Sequence, residues 1–189
     1  MRLTTVVLTL LVASTTFRPG LQSQATPAAQ TPILGNLVQG TYSNTILGIK
    51  FELPADWQID NLDESEDLSR HFPRRMHLRF KSNEDWIILS ASPIEPDEKL
   101  QHVFRISLMG AKDGGGFQTV GKQTKEVRDG YEVLSQKLTR RLSSGPAIGV
   151  YRAFFSRGYY VSVLHFGPPS TEGREGIVKN VHILSDDSR

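Results

Sequence analysis

Residues 131–166 read YEVLSQKLTRRLSSGPAIGVYRAFFSRGYYVSVLHF, three strand-like runs separated by two turn signals. Tyr131 to Arg140 alternates polar and apolar positions, Ala147 to Phe155 is mixed, and Tyr159 to Phe166 is almost continuously apolar, rich in aromatic and β-branched residues. Ser143-Ser144-Gly145-Pro146 and Ser156-Arg157-Gly158 have the residue types of tight connections. The stretch therefore predicts an antiparallel meander, and the rest of the chain is read outward from it.

Immediately upstream, GGGFQTVGKQT (Gly114 to Thr124) comes within one residue of a nucleotide-binding loop: Gly116, Gly121 and Lys122 fit, but Gln123 stands where a Ser or Thr should bind the metal ion. Such a loop needs a strand before it and a helix after it, so that the helix N-terminus faces the phosphates. Here the predicted order is helix, glycines, strand. After Lys122 the residues QTKEVRDGYEV alternate around Asp129-Gly130, which predicts a β-hairpin and argues against a phosphate cradle.

The helix before these glycines is predicted from about Pro96 to Lys112. Leu100, Val103, Phe104, Ser107, Leu108 and Ala111 share one face, Asp97 and Glu98 favour its start, and Gly114 favours its stop. Further upstream, His77 to Lys81 and Asp85 to Ser92 read as paired strands around Ser82-Asn83-Glu84. Thr41 to Leu47 and Ile49 to Leu53 read as short strands ending at Pro54, with Pro54-Ala55-Asp56-Trp57 as a turn. After Gly167-Pro168-Pro169 a last helix is expected, beginning near Ser170 or Thr171, with Ile177, Val178, Val181 and Leu184 as its apolar face.

The N-terminus carries Arg2, the apolar run Leu3 to Ala13 and the small-residue site Ser23-Gln24-Ala25, the pattern of an export signal spanning 1–25. Its apolar run is shorter than the roughly 20 residues that cross a bilayer. Residues 26–40, TPAAQTPILGNLVQG, read as a flexible linker, and 41–185 as a single α+β domain. The expected location is outside the cytoplasm, periplasmic or extracellular, after cleavage near Ala25.

The 189 residues carry a formal charge of +2; removing residues 1–25 leaves 20 basic and 20 acidic side chains and no net charge. A neutral mature chain has no strong overall field to hold nucleic acid or an anionic membrane. With no cysteine, the chain can form neither disulfides nor thiolate metal sites, and it has no Cys nucleophile or lipidated N-terminal Cys.

Tyr42 to Ile59, YSNTILGIKFELPADWQI, together with the mid-chain helix and the meander ending in GYYVSVLHF, resembles the PsbP-like and DcrB-like group of exported α/β proteins. The marker is G-x-x-F-x-x-P-x-x-W, carried by Gly48, Phe51, Pro54 and Trp57. The resemblance spans about 41–184 and implies an antiparallel sheet of about six or more strands sandwiched by helices, an α-β-α arrangement. It implies accessory, assembly or envelope-binding roles and supplies no shared catalytic constellation. The lipidation Cys of lipoprotein members is absent.

The five histidines, His71, His77, His102, His165 and His182, have no tight metal-ligand spacing, and no G-x-S-x-G elbow occurs. No cofactor is expected. His165 shares a strand face with Tyr159, Val161 and Val163, while Ser162 points the other way. Tyr42, Trp57, Arg152, Tyr160 and His165 lie at or near strand ends and form the candidate ligand cleft. An acidic block, Asp60, Asp63, Glu64, Glu66 and Asp67, precedes a basic one, Arg70, Arg74, Arg75, Arg79 and Lys81. The basic block is either a docking patch for an anionic partner or a surface neutralised by its acidic neighbour. The functional expectation is a non-enzymatic exported binding or assembly module, with an envelope protein, an anionic surface or an apolar ligand as partner. The alternative is a small secreted hydrolase whose catalytic cluster is distant in sequence.

Overall fold

A computed structural model describes residues 34–71, 74–83, 85–169 and 180–184. The meander forms with long strands: β7 (Gln118–Arg128), β8 (Tyr131–Leu142), β9 (Gly145–Ser156) and β10 (Tyr159–Gly167). Asp129-Gly130 and Arg157-Gly158 all take positive φ, so β7–β8 and β9–β10 turn through two residues whose backbone twist matches that of the strands. A register shift between Val120 and Thr124 bulges β7 at Gly121, inside the near-match to a phosphate loop. That segment follows a helix and enters a strand, the order opposite to the one phosphate binding requires.

Six more strands precede the meander: β1 (Asn36–Val38), β2 (Thr41–Asn44), β3 (Ile49–Glu52) and β4 (Gln58–Ile59), then β5 (Met76–Ser82) and β6 (Asp85–Pro93) after helix α1 (Leu62–His71). Helix α2 (Leu100–Asp113) joins β6 to β7, and β11 (His182–Ile183) follows β10. The main sheet has seven strands in the order β4-β5-β6-β10-β9-β8-β7; the smaller has four, β1-β2-β3-β11. All pairs are antiparallel. The architecture is an α+β sandwich.

Strand β10 explains why the sheet has two cores. Each of its residues is buried, and alternate side chains go to opposite faces: Val161 and Val163 to the small sheet, Leu164 and Phe166 to α2. A strand covered on both faces carries an unbroken apolar run, as the sequence does here. On the small-sheet side Tyr42, Phe51 and Phe80 form an aromatic trio with centroids 5.0, 5.2 and 5.6 Å apart. On the other side Leu100 and Phe104 are the buried side chains of α2, and Phe104 lies 5.4 Å from the Tyr151 ring.

Several boundaries differ from the sequence expectation for identifiable reasons. Strand β2 ends at Asn44, because the Asn44 carboxamide oxygen accepts the Leu47 N–H at 2.9 Å and turns the chain before Leu47. The first strand, β1, lies inside the stretch read as linker. Helix α2 starts at Leu100, four residues beyond Pro96: the Glu98 carboxylate accepts the Glu95 N–H at 3.0 Å, so Asp97 and Glu98 build the preceding turn. The acidic block is a helix, α1, which alternation and apolar periodicity did not reveal. Val181, read as part of a last helix, is in no helix, and His182 and Ile183 are instead a short strand that pairs with Lys50 and Ile49 of β3. Most of that expected helix, residues 170–179, and the export signal lie outside the described residues.

The G-x-x-F-x-x-P-x-x-W marker has a structural role at each position. Phe51 joins the aromatic trio, Pro54 accepts the Trp57 N–H at 3.1 Å, and Trp57 is buried. Gly48 has φ +64, and a Cβ there would sit 2.6 Å from Arg157 Nε. Arg157 donates to the Thr45 carbonyl and so ties the β9–β10 turn to the β2–β3 loop. Gly48→Ala is therefore expected to cost about 1–2 kcal/mol from the left-handed backbone alone. It should also displace Arg157. A lower denaturant midpoint with an unchanged slope is the check; an unchanged midpoint would contradict this role.

Candidate functional site

The five residues of the candidate cleft divide between the two faces of the main sheet. Tyr42 is fully buried in the aromatic trio, its hydroxyl donating to the Leu34 carbonyl at 2.7 Å, and burial raises its pKa far above 10. Trp57 and His165 meet edge to face at 5.7 Å on the small-sheet side, with the His165 Nε2 4.0 Å from an Asp85 carboxylate oxygen. Arg152, on the same side, lies 3.8 Å from Glu126, which also faces Arg128 at 3.5 Å. Tyr160 points to the opposite face, toward α2, because it is one residue out of phase with Tyr159 and Val161.

The basic block is answered by its own surroundings. Arg79 Nε lies 2.8 Å from Asp60 and its terminal nitrogen 3.9 Å from Glu64; Arg70 faces Glu66 one helical turn away at 3.8 Å. Arg74 sits over the Tyr159 ring at 5.7 Å, and Lys81 over Trp86 at 4.7 Å. Arg75 is exposed at the entry to β5. Asp60 before α1, with Glu64 and Glu66 in it, thus faces Arg79 and Arg70 of the basic block.

What Tyr160 does line is a groove of about 440 Å³ between α2 and the β5–β6–β10 part of the sheet. Helix α2 packs on β9, and a groove stays open along its flank, where Val103, Ser107 and Ala111, one turn apart, form one wall. The floor follows from strand register. Ser92 pairs with Tyr160, Ser90 with Ser162, and Ile88 with Leu164 across β6–β10. His77 of β5 stands opposite Ser90, its Nδ1 2.9 Å from the Ser90 hydroxyl.

The Tyr151 and Tyr160 hydroxyls are 2.9 Å apart, and Ser107 also bonds Tyr160. Burial, reinforced by Tyr151, raises the Tyr160 pKa far above 10, so the phenol stays neutral and able to donate. Ser162 is 7% exposed, and its hydroxyl has no hydrogen-bond partner among the described residues. It faces the groove.

His77 is the histidine of the groove lining. Partial desolvation by the protein around it, reinforced by the Arg79 charge and opposed by Glu64, holds its pKa below the ordinary 6.5. The unfolded chain therefore binds this proton more readily, and stability falls as pH drops from about 6.5 toward the folded value. His77→Gln should flatten the pH dependence of the melting temperature below pH ~6.5 while leaving it unchanged above. An identical slope in both proteins would contradict the assignment.

Sequence reasoning reached Tyr160 but missed Ser90, Ser162, Ser107 and Tyr151. The available signal was the serines that interrupt otherwise apolar strands, in IILSAS and YYVSVLHF. Ser90 and Ser162 share a face only through the β6–β10 register, which pairs segments about seventy residues apart.

Among the described residues no group of His, Asp or Glu side chains is placed to hold a metal ion. No helix there is long and apolar enough to cross a membrane.

No protein-family model matches the chain, and no curated protein matches it in sequence. Among solved structures it is similar to the cyanobacterial PsbP protein, CyanoP, of Synechocystis sp. PCC 6803, with a TM-score of 0.58 and 12% identity over 84% of this chain and 100% of that one. It is also similar to LpqN of Mycobacterium tuberculosis, a protein involved in cell envelope biogenesis, with a TM-score of 0.51 and 12% identity over 72% of this chain and 83% of that one. The chain has the PsbP-like fold.

Proposed function

We propose that this protein is an exported, non-enzymatic accessory module of the cell envelope that binds a ligand or partner group in the groove beside α2. The observation that carries this reading is Ser162: its hydroxyl faces an open groove and has no hydrogen-bond partner among the described residues, so it is available to a group from outside the chain. The leader-like N-terminus and the involvement of LpqN in cell envelope biogenesis support an extracytoplasmic setting.

One observation favours the hydrolase alternative, the contact of 2.9 Å between His77 and Ser90. Acyl transfer also needs donors for an oxyanion and a group to orient the base. Ser90 lies mid-strand in β6, paired on both sides, so its backbone neighbours are committed to the ladders. Glu64 is directed at Arg79, 3.9 Å away.

The test is a pull-down of the exported chain from its native envelope extract, read by mass spectrometry of proteins and lipids. Three forms are compared: wild type, Ala111→Trp to fill the groove, and the Arg74→Glu, Arg75→Glu double variant. Loss of a specific binder in Ala111→Trp alone is expected. Loss only in the double variant would move the site to the basic block, and ester hydrolysis abolished by Ser90→Ala would replace the binding reading with the enzymatic one.

A further inference from the structure

The groove's polar and apolar side chains are segregated along its length. Same-face positions of a strand are about 6–7 Å apart. Two successive steps of the floor carry hydroxyls, first Ser92 with Tyr160 and then Ser90 with Ser162, and Ser107 of α2 adds another from the wall. The next step is apolar: Ile88 with Leu164, closed by Ala111 and the buried Phe117. Helix α2 runs in the direction that takes Ser107 over the first part and Ala111 toward the second.

The lining includes no Asp, Glu, Lys or Arg, and its imidazole, His77, has its pKa held below the ordinary 6.5, which favours the neutral form. Arg79, the β5 residue that pairs with Ile88, is answered by Asp60 at 2.8 Å. An anionic or cationic head group placed here would lose hydration without gaining a counter-charge. A wholly apolar chain would strip water from the Ser162 hydroxyl with nothing to bond in return. A free sugar would leave the Ile88–Leu164 end uncovered. Hydroxyls that both donate and accept, beside an apolar trough, match a ligand with the same two parts.

We infer that the groove binds a neutral amphiphile, an uncharged polyhydroxylated head on the serine end and an alkyl chain on the Ile88–Leu164 end. The volume of about 440 Å³ falls within the roughly 300–1,000 Å³ of small-molecule clefts. This rests on the groove being the binding site.

The experiment is calorimetric titration of the full chain with octyl glucoside below its micelle concentration, against glucose and octyl sulfate as head-only and charged-head probes. Saturable one-to-one binding of octyl glucoside is expected, with octyl sulfate roughly tenfold weaker or worse. From hexyl to heptyl to octyl glucoside, affinity should rise about fourfold per methylene. Ser162→Ala, a small change with little effect on folding, should weaken octyl glucoside roughly fivefold to tenfold, and Ala111→Phe should flatten the chain-length series.

If glucose or octyl sulfate binds as well as octyl glucoside and loses affinity in Ser162→Ala, the ligand class is wrong and the groove remains the site. Octyl glucoside binding that ignores both variants, or no binding of any probe, overturns the inference. In the latter case the Ala111→Trp pull-down decides separately whether the groove is a site at all.

Discussion

Phe104→Ala destabilises the protein by about 3–5 kcal/mol, the expected loss for a fully buried aromatic side chain that leaves a cavity behind. Phe104 has no exposed surface and packs against Tyr151 at 5.4 Å. With Leu100 it holds α2 to the sheet, since Ile106 and Met109 point to solvent and Val103, Ser107 and Ala111 line the groove. The effect should therefore exceed a stability change: losing this anchor loosens one wall of the groove. At about 2–4 °C per kcal/mol for a chain of this size, the melting temperature should drop by roughly 6–20 °C. Amide exchange in α2 should accelerate more than in β9 or β10. A loss below 1 kcal/mol, or equal exchange in helix and sheet, would mean that α2 is held by something other than Phe104.

Asn61→Ala is the second large effect, and it comes from a hydrogen-bond substitution at a sheet edge. β4 pairs with β5 only at Gln58–Lys81 and Ile59–Phe80. Beyond that the chain turns into α1, and the Asn61 side chain takes over the role of a neighbouring strand. Its oxygen accepts the Arg79 N–H at 2.6 Å, and its nitrogen donates to the His77 carbonyl at 3.0 Å. Asn61 is 4% exposed. In the alanine variant the His77 carbonyl keeps the Ser65 hydroxyl, whereas Arg79 N–H loses this acceptor. The cost should be about 2–3 kcal/mol, the unsatisfied donor accounting for most of it. Arg70→Ala, which removes the exposed Arg70–Glu66 pair on the same helix, should change stability by less than about 0.5 kcal/mol. Comparable losses in the two variants would show that charge, and not the Asn61 amide, docks α1.

These two residues also show which parts of the fold were legible in the sequence. The meander was readable because its strands are consecutive: alternation, two turns with Gly130 and Gly158, and a continuous apolar run over Tyr159–Phe166 all point the same way. Helix α2 was readable from its 3.6-residue periodicity, though not its start, since Asp97 and Glu98 also suit the turn they form. Helix α1 was invisible because only one apolar stripe is needed at a sheet edge and its polar face dominates the composition. Asn61 looks in the sequence like an ordinary turn residue; that it completes a strand edge depends on β5, sixteen to eighteen residues away.

The site was less legible than the fold for the same reason. Assigning Tyr160, Ser162 and Leu164 to one face needs only the period of a strand. Placing Ser90 beside Ser162, and His77 beside Ser90, needs the order β5-β6-β10, which joins non-consecutive strands. Tyr42 of the small sheet, Trp57, Arg152 and His165 lie on the small-sheet side, away from Tyr160. Asp60 and Arg79, nineteen residues apart in the chain, meet at 2.8 Å, a pairing that the two charge blocks read in isolation do not reveal.

The most direct measurement is photo-crosslinking in the native envelope, with a photoreactive phenylalanine analogue at position 107 in the groove wall and, separately, at position 75 in the basic block. A binding module that uses the groove yields one discrete adduct from position 107, suppressed by Ala111→Trp, and none from position 75. Adducts confined to position 75, or adducts at 107 that persist when the groove is filled, would contradict it.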